Sequence, residues 1–265
     1  MKSPRSYLFV PGQRPDRFEK AARSGADAII LDLEDAVGPD LKNEARDNIV
    51  NWFAHGGQGI VRINGEDSPW FDDDLAALGA AGCATIMVPK ADPTSLSKVS
   101  ERLPGTALIA LVESAFGLAT LRTSATIPGV VRLAFGNLDF GADTRIPGTG
   151  VVLDPARFEI VLASRLGNLL QPVDGVTTDL KDIGVIKSDV ERARAFGFGA
   201  KLCIHPAQVT AVNTGFLPTP AEIDWANRIL QALEDAAGSV VQVDGKMVDR
   251  PLVDRAQQIL LDAGA

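Results

Sequence analysis

The 265-residue chain is poor in the residues that most metal and nucleophile motifs need: it has two cysteines and two histidines. Cys83 and Cys203 each stand alone in an apolar, strand-like run, without a partner at metal-site spacing, and are read as core thiols. His55 lies in a loop and is read as surface. Excess positive charge is missing too. Lys plus Arg number 26 against 34 Asp plus Glu, a formal net charge of -8, which argues against non-specific binding to nucleic acid or anionic membrane. No apolar run approaches the ~18–20 residues that span a bilayer. The first residues are polar and contain no apolar signal core, so a cytoplasmic protein is expected. Finally, the first candidate strand is followed by Val10-Pro-Gly-Gln-Arg-Pro15, which lacks the spacing of a glycine-rich phosphate loop. That speaks against a doubly wound open sheet. There are no repeats and no low-complexity segments.

What is present is alternation. Short β-branched runs predict strands over 6–10, 28–33, 60–63, 85–88, 107–112, 131–135, 173–177 and 201–204. Amphipathic segments between them predict helices over 15–24, 41–53, 70–80, 94–103, 117–124, 155–170, 183–196 and 206–216. Asp92-Pro93 and Asp154-Pro155 have the form of helix starts, and Gly25, Gly82 and Gly197 of helix stops. Eight strand–helix units in roughly 210 residues predict a (β/α)₈ TIM barrel over 1–217. Beyond it, 220–237 reads as a helix, 239–248 as a hairpin turning at Asp244-Gly245, and 251–263 as a last helix. This tail, 218–265, is too short to be a domain by itself. It is expected to cover the active site of its own barrel or of a neighbouring subunit.

The most telling stretch is Ala28-Ile-Ile-Leu-Asp-Leu-Glu-Asp-Ala-Val37, an apolar strand ending in Asp32, Glu34 and Asp35. Buried carboxylates need facing cations, metals or donors. Barrel chemistry sits at the C-terminal ends of the strands. Collecting the polar residues there adds Arg62, Lys90, Glu113, Asn137, Asp139, Asp179, Asp182 and His205. Five or more carboxylates against two cations leave a deficit of positive charge. A divalent cation held by oxygen ligands, Mg²⁺ with Mn²⁺ as an option, would relieve it. Glu113 and Asp139 are the chosen ligands, although Glu113 could instead cap the helix after it. Arg62, a charge inside an apolar strand, can bridge to the second-strand acids while its other edge meets an oxyanion. Lys90 could be a Schiff-base lysine, but facing carboxylates would hold it protonated, and a salt bridge is preferred. His205 is read as bracing its loop rather than moving protons. Arg14, Arg17 and Lys20 form a local basic rim in an acidic protein, readable as a solvated helix face or as a site for a phosphorylated ligand.

The ordered segments Arg5-Ser-Tyr-Leu-Phe-Val-Pro-Gly12, Asp32-Leu-Glu-Asp-Ala-Val37, Arg62-Ile-Asn64, Val88-Pro-Lys90, Val112-Glu-Ser-Ala115, Phe135-Gly-Asn-Leu-Asp139, Ile204-His-Pro-Ala-Gln208 and Gly245-Lys-Met-Val-Asp-Arg-Pro251 resemble the citrate lyase beta subunit-like members of the HpcH/HpaI aldolase family. The resemblance spans nearly the whole chain. It implies a Mg²⁺-dependent barrel lyase making or breaking carbon–carbon bonds in acyl-CoA or acyl-carrier-protein thioesters. By motif position it implies Glu113 and Asp139 as metal ligands and Arg62 as a catalytic, substrate-contacting arginine, with Glu113 also beside substrate. Phe9, Arg14, Lys20, Ile204, His205 and Pro206 fall at coenzyme A contacts. Asp249 matches an acid/base delivered from a neighbouring subunit of a homo-oligomer, a trimer or hexamer with shared sites. Asp32, Glu34, Asp35 and Lys90 then surround the site and orient Arg62. Two other readings accompany this one: a citrate lyase beta subunit working on citryl-acyl-carrier protein within a complex, and a non-catalytic CoA-thioester binding homologue. The 141–150 loop is where substrate choice is expected to vary.

Overall fold

A computed structural model of the protein describes residues 3–235 and 242–264. Eight parallel strands, β1 Ser6–Pro11, β2 Ala28–Asp32, β3 Ile60–Arg62, β4 Thr85–Val88, β5 Ala107–Val112, β6 Val130–Phe135, β7 Val173–Asp174 and β8 Ala200–Cys203, close in sequence order into a barrel, with β8 paired to β1. Helices surround it, as the strand–helix alternation predicts. Side chains alternate across a strand, so one residue in two faces inward. The inner set is Tyr7, Ile30, Ile60, Met87, Ile109, Leu111, Ala134, Val173, Ala200 and Leu202, a packed apolar plug. At the N-terminal end Arg132 closes this plug, donating to the Tyr7 hydroxyl at 2.6 Å and to the Pro4 and Gln171 carbonyls.

Three local expectations need correction. The predicted 173–177 strand is only two residues long, with a single register pair, Ala134↔Val173, joining β6 to β7. Beyond it the Asn137 side chain occupies the place of a β6 backbone partner. The predicted 117–124 helix is two short helices, Ala115–Ala119 and Leu121–Ser124, and the first starts from a Ser114 cap. Asp154 does not cap its helix (Asp154–Leu166) but pairs with Arg157 and Arg192. Asp92, in contrast, caps Pro93–Arg102 with a reciprocal Ser95 bond. Cys83 and Cys203 are buried, which pushes both thiols up, Cys203 to about 12.

The described residues form two compact units, Ser3–Asn213 and the part from Thr214 onward. In the second, helices Pro220–Asp235 and Arg250–Ala263 bury Ala226, Ile229, Ala256 and Ile259 against each other. Strands Gln242–Val243 and Lys246–Met247 pair antiparallel. Asp244 and Gly245 turn between them at φ +52° and +74°, the left-handed pair that a two-residue hairpin loop demands. The expected hairpin start at 239–241 and helix end at 236–237 lie outside the described residues.

Candidate active site

The inward register carries the apolar plug straight into the charged cluster. Asp32 lies two residues beyond Ile30, Arg62 two beyond Ile60, and Glu113 two beyond Leu111. All three therefore face the barrel axis at its C-terminal end. Arg62 is the hub. It donates Nε to Asp32 Oδ1 at 2.7 Å and Nη2 to Asp32 Oδ2 at 2.6 Å, a bidentate pair. Its Nη1 donates to Asp35 at 3.3 Å and lies 2.9 Å from Glu34 Oε2. The Phe9 ring stacks 4.8 Å from the guanidinium carbon, covering one face. Asp32 is saturated, because it also accepts the Glu34 and Ala36 amides. It has no lone pair direction left to offer a metal.

Glu113 is 2% exposed and accepts the Lys90 amide at 2.7 Å. Ser114, not Glu113, caps the following helix. Two backbone features bring the carboxylate into place. Lys90 adopts φ +44°, which turns its amide toward Glu113. Gly136 lies so close that a Cβ there would sit 2.6 Å from Glu113 Oε2. Burial pushes Glu113 up to about 8, and the charges of Glu34 and Asp139 add to the rise against the pull of Arg62. Burial likewise lifts Glu34 to about 7 despite the nearby guanidinium, since Arg62 spends its best hydrogen bonds on Asp32. Glu34 Oε2, although within ion-pair distance of Arg62, has no aligned hydrogen-bond donor among the described residues.

These observations test whether a divalent cation suits the site. Five carboxylates, those of Asp32, Glu34, Asp35, Glu113 and Asp139, face three cations: Arg62, a half-exposed Lys90 at 3.5 Å from Glu34, and the buried Lys42 ammonium, which bonds backbone carbonyls beneath Glu34. Two acids are pushed up and one buried oxygen lacks a donor. Among the described residues no three His, Cys, Asp or Glu side chains form a ready cage. A Glu113–Asp139 pair whose remaining ligands are water and substrate oxygens fits Mg²⁺, which keeps part of its hydration shell. Burial pulls the Lys90 ammonium down, but the Glu34 and Glu113 charges prevail and it is raised overall. It is therefore protonated, the opposite of what a Schiff-base nucleophile needs.

The other expected residues are placed as follows. Asp139 is exposed in the first turn of helix Asn137–Thr144. Arg14 is half-buried and pairs with Asp16 through two 2.8 Å bonds, while Lys20 is exposed on helix Phe18–Ala22. Ile204, His205 and Pro206 are exposed just past β8. His205 Nδ1 accepts the Ala207 amide, and Gln208 accepts the Ile204 and His205 amides, so this loop is braced by its own side chains. Asp249 belongs to the second unit, where it caps helix Arg250–Ala263.

Sequence reasoning missed the support beneath the cluster. Lys42, 6% exposed, donates to the Leu33 and Glu34 carbonyls and to Asn64 Oδ1, pinning the loop that carries Glu34. Asn64 in turn donates to Asp74, which also takes Arg46. No sequence signal distinguishes Asp74 from its exposed neighbours Asp72 and Asp73, because burial here follows helix docking. A second buried set, Arg157, Asp174 and Lys201, ties β7 and β8 to helix Asp154–Leu166.

A model of the HpcH/HpaI aldolase/citrate lyase family matches residues 5–206. A (3S)-malyl-CoA thioesterase of Cereibacter sphaeroides is 35% identical over 271 residues, covering 98% of this chain and 95% of its own. An L-malyl-CoA/beta-methylmalyl-CoA lyase of Rhodobacter capsulatus is 34% identical over 301 residues, covering 98% and 94%. The crystal structure of protein CitE from Mycobacterium tuberculosis in complex with magnesium, acetoacetate and coenzyme A superimposes with a TM-score of 0.87 at 30% identity, covering 100% of this chain and 99% of that one.

Proposed function

The chain belongs to the HpcH/HpaI aldolase/citrate lyase family, and from that premise we propose that it is a Mg²⁺-dependent carbon–carbon lyase. Its substrates are 3-hydroxy dicarboxylic acyl-CoA thioesters such as malyl-CoA or citramalyl-CoA, cleaved to a 2-oxo acid and a short acyl-CoA, or formed in reverse. The observation that carries this reading is the unbalanced cluster: an anchored arginine among buried acids, two of them pushed up, beside a carboxylate pair suited to Mg²⁺. The magnesium, coenzyme A and acetoacetate bound by the M. tuberculosis CitE protein support both ligands of the proposal.

Glu113 and Asp139 would hold the metal, which when bound would supply positive charge for the substrate hydroxyl and carboxylate. Arg62, oriented by Asp32, donates to the thioester oxygen as it gains enolate charge. The breaking bond joins the carbinol carbon to the carbon beside the thioester. The hydroxyl gives its proton to water, its carbon becomes the carbonyl of the 2-oxo acid, and the enolate carbon takes up a proton. Asp249 is assigned that last transfer, delivered from a neighbouring subunit of a homo-oligomer. Phe9, Arg14, Lys20 and the 204–206 loop are assigned to coenzyme A. Phe9 has a second task here, since it already stacks on Arg62.

The thioesterase relative motivates a second reading, hydrolysis of the same thioester, because an arginine that stabilises an enolate oxygen also suits the oxyanion of water attack. One incubation separates the two. With malyl-CoA and Mg²⁺, a lyase releases a 2-oxo acid trapped by phenylhydrazine and no free thiol, whereas a thioesterase releases thiol seen with a disulfide reagent and no 2-oxo acid. Phenylhydrazone without thiol is the expected result. Thiol without phenylhydrazone across malyl-, citramalyl- and citryl-CoA would overturn the lyase reading, and so would silence from all three.

A further inference from the structure

Asn137 is 3% exposed and uses its whole amide group. Oδ1 accepts the Val176 amide at 2.8 Å, and Nδ2 donates to the Val176 carbonyl at 3.2 Å and to the Gly148 carbonyl at 2.7 Å. The first two bonds copy the way a strand neighbour pairs with a peptide unit. They lie where the barrel seam is thinnest, past the single β6–β7 register pair. The third reaches into the 145–150 loop, whose far end is held by Arg157 donating to the Gly150 carbonyl. The packing is shaped around this residue, its side chain and its main chain. A Cβ on Gly175 would sit 2.0 Å from Asn137 Oδ1, and one on Gly148 would sit 3.0 Å from the Asn137 carbonyl oxygen. Asn137 also begins the helix whose first turn carries Asp139.

We infer that Asn137 is a positioning residue, a latch that holds the 145–150 loop and the exit of β7 against the helix bearing Asp139, and so sets both the metal ligand and the substrate-facing edge of the mouth. The inference rests on the metal role proposed above for Asp139. Its physical basis is the cost of leaving partly buried amide and carbonyl groups unpaired: without the Asn137 side chain, Val176 N–H, Val176 C=O and Gly148 C=O lose these bonds together.

The test uses full-length Asn137→Ala together with Gly148→Ala, which keeps the asparagine but pushes the loop off it. Three readouts are taken: Mn²⁺ binding by electron paramagnetic resonance, KM and kcat with the thioester that wild type prefers, and tryptic cleavage after Arg145 located by mass spectrometry. Loss of the latch should weaken Mn²⁺ binding about tenfold, raise KM about tenfold with a smaller change in kcat, and speed cleavage at Arg145 about tenfold. Gly148→Ala should move all three the same way, about threefold. A residue that only stabilised the fold would lower the melting temperature and the active fraction but leave metal affinity and KM at wild-type values. That pattern overturns the latch. If wild type turns over none of the thioesters, yet both variants bind Mn²⁺ more weakly and are cut faster, the latch stands and the lyase reading fails.

Discussion

Replacing Arg62 by alanine is expected to reduce turnover by roughly 10²–10³-fold and to destabilise the fold at the same time. The two effects share one cause. Among the described residues the guanidinium is the only cation bonded to Asp32, a fully buried carboxylate, and it also faces Glu34 and Asp35. Without it Asp32 keeps only the Glu34 and Ala36 amides. Removing one partner of such a buried pair typically costs about 3–5 kcal/mol, to be read from chemical denaturation. Arg62→Lys restores the charge but not the fork. It should recover part of the stability and little of the activity, because a compact ammonium lacks the planar fork that meets both Asp32 oxygens in parallel while aiming a further N–H at substrate. An Arg62→Ala enzyme with wild-type kcat would remove arginine from the mechanism. The same variant tests the shared site: mixed with inactive Asp249→Ala, it should regain activity through hybrid oligomers carrying one intact site. Mixtures that stay dead would place Asp249 in its own subunit's site or outside the chemistry.

Glu113→Gln is expected to abolish Mg²⁺-dependent turnover by roughly a thousandfold while making the metal-free protein less sensitive to alkali. The sign follows from the pKa. Burial and the neighbouring Glu34 raise the folded-state value to about 8, above the ordinary 4.5. Between those values the folded chain binds more protons than the unfolded one. Metal-free stability therefore falls as pH rises through that window. Glutamine carries no such penalty, so near pH 8 the variant should melt at or above wild type without metal, and below it with saturating Mg²⁺. For the same reason wild-type Mg²⁺ affinity should rise with pH up to about 8, and calorimetry in buffers of different ionisation enthalpy should detect proton release. A wild-type affinity that is flat from pH 6 to 8 would show that metal binding displaces no proton from Glu113.

Much of this was legible in the sequence. The alternation of β-branched runs with amphipathic segments could be read directly because each strand buries both faces, leaving a short apolar block between polar loops. The cluster could be read because a carboxylate or an arginine at the end of such a block is anomalous whatever its partners are. The length of β7 was not legible. Its seam is completed by a side chain from β6's far end, and Asn137 looks like any loop asparagine until Gly175 and Val176 lie beside it. Lys42 and Asp74 were equally silent, since helical periodicity marks a face and not which polar residue on it becomes buried.

The sequence by itself thus determined the order of strands, the positions of Asp32, Arg62 and Glu113 at strand ends, and an excess of acid over base around them. All three are read from short apolar blocks and the charged residues that end them, which are local properties of the chain. Only the tertiary structure decided which charges meet. Closing the barrel gives the Arg62 hydrogen bonds to Asp32 and leaves Glu113 only the pull of its charge. Burial in that closed mouth pushes Glu113 and Glu34 up, the reason the Glu113–Asp139 pair suits a cation from solution.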